Sequence, residues 1–85
     1  MSRLTDKEKV LNDVIDDILQ ELERAEKKFP VFPVDKIHAV SIMNEEAGEA
    51  IQAALNFHYL NGDINDIRKE LIQTAAMAIR NLINL

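Results

Sequence analysis

The sequence has no cysteine and no tryptophan, and its 85 residues include only two glycines and two prolines. Without cysteine there is neither a disulfide framework nor a thiolate zinc site. A small secreted domain usually needs such staples, so the expected compartment is the cytoplasm. So few turn residues leave little punctuation for an all-β fold. Positive charge is scarce as well: 10 Lys and Arg stand against 15 Asp and Glu, a net charge of −5. A nucleic-acid binder carries a basic footprint, and no nucleic-acid partner is expected here. Long apolar runs are missing too. The longest stretch without a formal charge, Ala50 to Gly62, is thirteen residues, short of the roughly 20 that a membrane span needs. The first thirty residues are charged at about every other position, which does not read as a signal peptide.

What is present is amphipathic helix. The chain is 47% apolar and long enough for one domain, residues 1–85. From Thr5 to about Lys28, Val10, Leu11, Val14, Ile15, Ile18, Leu19, Leu22 and Ala25 recur at helical period. Thr5 with Glu8 three residues on has the form of a capping box. Pro30 stops this helix and Pro33 suits the first turn of the next. A second helix is expected over about 34–60, stopped by Asn61-Gly62. Asp63 can cap a third, over about 63–84. A helix of some 25 residues is about 37 Å long, whereas a compact globule of this chain length has a radius of gyration near 12 Å. The expected fold is therefore all-α: a three-helix chain forming an antiparallel bundle completed by oligomerisation, as a homodimer or homotetramer.

Chemistry concentrates on the second helix. Between Ile37 and Ile67 there is no Lys or Arg, yet five acids are present: Glu45, Glu46, Glu49, Asp63 and Asp66. Glu45 and Glu49 form a like-charge i,i+4 pair, which costs an isolated helix about 0.2–0.5 kcal/mol. At 100° per residue, Glu46 falls at the edge of the apolar arc with Glu49 about 60° away. An unpaired carboxylate there either loses solvation or takes up a proton. A divalent cation removes that penalty, and two Glu at i,i+3 facing a bundle interior are half of a carboxylate metal site. The third helix repeats the spacing with Glu70 and Gln73, opposite an apolar arc of Ile64, Ile67, Leu71, Ala75, Ala78, Ile79 and Leu82. The competing reading is plain: solvated acids, or acids paired with Arg68, Lys69 or Arg80.

The order Glu46-Ala47-Gly48-Glu49, a short turn, then Glu70-Leu71-Ile72-Gln73 resembles the all-α nucleoside triphosphate pyrophosphohydrolases of the MazG-like superfamily. Their pattern is ExxE on one helix and ExxD on the next. The stretches IMNEEAGEAIQAAL, Ile42 to Leu55, and ELIQTAAMAIRNL, Glu70 to Leu82, look like the two motifs. With the proline loop, the resemblance covers about residues 30–85. Gln73 is the departure, since the family has Asp there.

The resemblance implies hydrolysis of a nucleoside triphosphate, NTP or dNTP, between the α and β phosphates to a monophosphate and pyrophosphate. It implies Mg²⁺, with Mn²⁺ as a substitute, held by Glu46, Glu49, Glu70 and Gln73. Glu46 and Glu49 are the expected catalytic residues. An amide carbonyl can bind a hard cation but is neutral, so this set offers three carboxylates instead of four. His38, Arg80 and Phe32 are candidates for substrate binding, each with a structural role as its rival. His58, on the apolar arc, reads as a core histidine, and Gly48 as a site of close helix packing. The alternative function is a catalytically degenerate MazG-like dimer serving as an interaction or structural module.

Overall fold

The computed structural model describes residues 4–85, and three helices account for most of them. They are α1 (Asp6–Lys28), α2 (Lys36–Tyr59) and α3 (Ile64–Ile83), with no strand among the described residues. Each starts on an oxygen cap. The Thr5 hydroxyl accepts from the Glu8 backbone N–H at 3.1 Å and donates to the Glu8 carboxylate at 3.1 Å. Asp63 accepts from the Asn65 N–H at 2.8 Å. Along the outer side of α1, Glu23 and Lys27 pair at 2.9 Å, an exposed contact worth little.

The start of α2 differs from the sequence expectation. Asp35, rather than the neighbourhood of Pro33, begins the helix. Its carboxylate accepts from the N–H groups of Ile37 at 2.9 Å and His38 at 3.4 Å. A charged cap satisfies two otherwise unpaired amides, whereas proline only removes one, so the boundary moves to the aspartate. At the other end Asn61 adopts φ 56°, the left-handed geometry that closes many helices. The Gly62 N–H then reaches back to the Asn56 carbonyl at 2.9 Å. A Cβ at Gly62 would meet the Asn56 and Phe57 backbone at 3.0 Å, so this turn needs glycine.

α3 is the middle helix. Arg68 meets Asp17, and Arg80 meets the carbonyl of Ala25, so α1 and α3 run in the same direction. Lys36 donates to the Asn84 carbonyl at 2.8 Å and Asn81 to that of Ala39 at 3.2 Å, so α2 and α3 run in opposite directions. α1 and α2 do not pack on each other. The outcome is an open layer measuring 43 × 43 × 19 Å, with a radius of gyration of 15.0 Å. That exceeds the roughly 12 Å of a compact chain this long. Among the described residues, only Leu22 and five alanines make up the buried apolar set, and no large side chain is fully buried.

Because α1 and α2 pack on the two flanks of α3, part of its apolar arc stays uncovered, while Ile67, Ala75, Ala78 and Ile79 are half-buried. Ile64, Leu71 and Leu82 are 60%, 55% and 67% exposed. Two other expectations are corrected for the same reason. His58 is exposed, with its ring edge-on to Tyr59 at 4.5 Å, and is no core residue. Gly48 has nothing within 4 Å of a Cβ placed on it, so no helix of this chain packs there. Gly48→Ala is accordingly expected to stabilise by about 0.5–1 kcal/mol through helix propensity. Thermal melting checks this, and a lowered midpoint would show that another chain approaches Gly48.

Candidate functional site

The facing sides of α2 and α3 bring four of the sequence-selected residues together. Glu46 and Glu49 come from α2, Glu70 and Gln73 from α3. One carboxylate oxygen from each of Glu46, Glu49 and Glu70 lies within 4.8 Å of the others. Glu46 and Glu70 are half-buried and Glu49 is exposed. Gln73 sits between two of the acids. The ends of an amide are assigned from their partners. With its nitrogen turned inward, it donates to Glu46 Oε2 at 3.1 Å and Glu70 Oε2 at 2.9 Å.

The electrostatics follow from that crowding. Burial is the main cause pushing the Glu46 carboxyl above the usual carboxylate range, with the charges of Glu49, Glu21 and Glu45 adding to it. Burial also raises Glu70, followed by a hydrogen bond shared with Glu49 and the charges of Glu49 and Glu46. The basic residues nearest in sequence do not neutralise the cluster. Arg68 is paired with Asp17 at 2.6 Å, and Arg80 is turned toward α1. Arg24 opposes the rise at Glu46 but is itself held by Glu21 through contacts of 2.5 and 2.6 Å. That hydrogen bond, ahead of the opposing burial, lowers Glu21 below its usual range.

These shifts have a sign. In the folded chain Glu46 and Glu70 keep protons to higher pH than in the unfolded chain. Stability therefore falls as pH rises from the ordinary glutamate value, about 4.3, through the raised ones. Glu21 acts oppositely: its contribution is present above the ordinary value and is lost as pH falls through the lowered one. Comparing wild type with Glu46→Gln in EDTA isolates the first effect. The substitution is expected to raise the urea midpoint at pH 7 and leave it nearly unchanged at pH 4. Equal midpoint changes at both pH values would mean that Glu46 carries no raised pKa.

The three proposed substrate contacts lie apart from this cluster in role. Arg80 is buried, donates to the Ala25 carbonyl at 3.4 Å and to the Phe29 carbonyl, and stacks on the Phe32 ring at 5.0 Å. Arg80 and Phe32 thus close the end of α1 on α3. His38 is exposed in the first turn of α2, its backbone N–H on Asp35. What sequence reasoning missed is a groove of about 680 Å³ between α1 and α3, reaching Gln73. Arg24, Lys28 and Lys69 line it, together with Asp17 and Glu21. Lys28 and Lys69 form no ion pair among the described residues. The sequence signal was there: Arg24 and Lys28 share one face of the first helix at i,i+4.

The donor set fits a hard divalent cation: three carboxylates and one amide carbonyl, all oxygen, once the Gln73 amide is rotated. Octahedral Mg²⁺ with bonds near 2.1 Å spaces its ligand oxygens about 3.0–4.2 Å apart. The observed spread of up to 4.8 Å needs only small side-chain adjustments. Comparisons with protein families, curated proteins and solved structures give no match for this chain.

Proposed function

We propose that this protein is a divalent-cation-dependent nucleoside triphosphate pyrophosphohydrolase. The observation that carries the reading is the convergence of Glu46, Glu49 and Glu70 from two helices, with oxygens within 4.8 Å. The MazG-like order of the two motifs supports it, and so does the cationic groove that ends at Gln73. Water cleaves the bridge between the α and β phosphates and the products are a monophosphate and pyrophosphate. When bound, Mg²⁺, or Mn²⁺ in its place, would supply neutralisation of phosphate charge and orientation of the attacking water. Glu46, Glu49 and Glu70 would hold it, with the Gln73 carbonyl as a neutral oxygen donor beside them. Glu46 or Glu49 takes the water's proton. Lys28 and Lys69, which line the groove beside the Arg24–Glu21 pair, hold the phosphates. In this reading the working species is a cytoplasmic homo-oligomer, since one chain leaves its layer open.

A second reading is favoured by Gln73. Its amide satisfies Glu46 and Glu70 without a cation, as a non-catalytic helical dimer would require. Pyrophosphate release across a panel of NTPs and dNTPs, each with Mg²⁺, Mn²⁺ or EDTA, separates the two. Cation-dependent release from at least one nucleotide is expected. Absence of release from every one would leave the dimer reading.

A further inference from the structure

The turn that sets α2 against α3 brings a reactive side chain next to an unshielded backbone nitrogen. Of the seven asparagines in the sequence, Asn61 alone precedes a glycine. Five of the others lie within helices, where the backbone N–H that follows is engaged in the helical ladder. Asn84 is anchored by its own amide, which donates to the Arg80 carbonyl at 2.8 Å. Asn61 is exposed, in left-handed backbone at φ 56°. Gly62 has no side chain to screen its nitrogen. One hydrogen bond keeps that nitrogen occupied: its N–H donates to the Asn56 carbonyl at 2.9 Å.

We propose that Asn61 is a site of spontaneous deamidation, gated by opening of this turn. The Gly62 nitrogen loses its proton and bonds to the side-chain carbonyl carbon of Asn61, and the side-chain nitrogen leaves as ammonia. A succinimide ring results, and water opens it at either carbonyl. Opening at the side-chain carbonyl leaves aspartate in an ordinary chain. Opening at the main-chain carbonyl leaves isoaspartate, with the chain routed through the side-chain carbon. Ammonia is lost, water is gained, and no oxidant or other reactant is needed. The closed turn holds the reaction back, because the attacking nitrogen must first leave the Asn56 carbonyl. Surface turns open locally at far smaller cost than the whole chain, so the folded protein reacts, but slowly.

Both products disturb the joint between the helices. Aspartate puts a negative charge at the negative end of the α2 dipole, two residues from Asp63. Isoaspartate adds a main-chain carbon where space is tight, since even a Cβ on Gly62 would meet the Asn56 backbone at 3.0 Å. The lengthened chain draws Gly62 off the Asn56 carbonyl and Asp63 off the Asn65 N–H, now at 2.8 Å. Those two contacts fix the register of α2 against α3, and with it the meeting of Glu46 and Glu49 with Glu70. Deamidation thus ages the acid cluster from a distance, whether or not the proposed activity is found.

The test keeps wild type and Asn61→Gly in warm, mildly alkaline buffer, folded or in guanidinium chloride. Intact mass and peptide mapping with isoaspartate detection follow the reaction. Folded wild type is expected to deamidate at Asn61 before any other asparagine, roughly ten- to a hundredfold more slowly than in denaturant. Asn61→Gly, which suits the left-handed backbone, should keep its mass over the same period. Separated by charge, the aged fraction should melt several degrees below fresh protein, with the isoaspartate chains lower than Asn61→Asp. Equal rates in the folded and unfolded chain would overturn the gate. Another asparagine reacting first in the folded chain would overturn the site, as would no product at Asn61 after on the order of a hundred half-lives of the unfolded reaction. An aged fraction that melts with fresh protein would overturn the effect on the joint.

Discussion

Replacing Arg80 with Ala is expected to lower stability by about 3 kcal/mol, since hydrogen bonds to charged groups contribute about 1.5–3 kcal/mol each. Arg80 is only 5% exposed, and its guanidinium bridges two helices. It donates to the Phe29 carbonyl and to that of Ala25, which also accepts from the Phe29 N–H, at the end of α1, where positive charge complements the helix dipole. Its flat face covers the Phe32 ring at 5.0 Å. Truncation removes all of these together. For a chain of this size such a loss lowers the melting midpoint on the order of 15 °C. Arg80→Lys should recover only part of it, because an ammonium neither forks between two carbonyls nor stacks on a ring. Melting curves of wild type and the two variants check this. Equal midpoints for Arg80→Ala and wild type would mean that the clamp contributes nothing in solution.

Arg80 also shows where sequence legibility ended. A helical wheel places an arginine on a face but does not say which helix will lie against it. Arg80 sits nearly three turns beyond Glu70, so a reach to phosphate was a fair expectation. The structure puts α1 there instead. The same gap explains α3. Its period is plain, yet the flanks of the helix meet α1 and α2 while Ile64, Leu71 and Leu82 of its apolar arc stay exposed. Periodicity measures how apolar residues are spaced, not whether the same chain covers them. His58 and Gly48 were misplaced by the same assumption. The groove lined by Arg24, Lys28 and Lys69 needed α1 and α3 to be set side by side, which no local pattern reveals.

The acid cluster was legible because its signal is local. Two helices joined by a four-residue turn, each carrying oxygen ligands at i,i+3, can bring those ligands together only in a few registers. The Asn61-Gly62 turn and the Asp63 cap fixed the register that occurs. The three helices were readable for a related reason. Thr5 and Asp63 cap as their side chains dictate, and only the start of α2 moved, from the proline to the stronger cap at Asp35.

Gln73→Asp and Glu49→Ala are expected to have opposite effects on the proposed site. Without a cation, the Gln73 amide donates to Glu46 and Glu70. Aspartate removes those donors and adds a fourth carboxylate beside three others, so the cation-free midpoint should fall. With Mg²⁺ the order reverses. A charged fourth ligand should tighten binding on the order of tenfold, about 1.4 kcal/mol, and so increase the cation-induced rise in midpoint. Turnover should be kept or increased, since the change leaves Glu46 and Glu49 in place. Glu49→Ala removes a charged ligand that no neighbour replaces, and pyrophosphate release should fall to background. Its cation-free midpoint should not fall, because Glu49 is exposed and its like-charge contacts with Glu45 and Glu70 are lost. Midpoints with EDTA and with Mg²⁺, together with turnover on the best nucleotide of the panel, test all of this in one set of proteins. A Gln73→Asp change that leaves both midpoints unaltered would make Gln73 a bystander and shift the fourth-ligand role to an acid such as Asp66. Wild type and Gln73→Asp both inactive on every triphosphate, with no cation-induced shift, would assign the protein to the non-catalytic helical dimer. The amide of Gln73 would then be the permanent occupant of the place that a cation takes in a working enzyme.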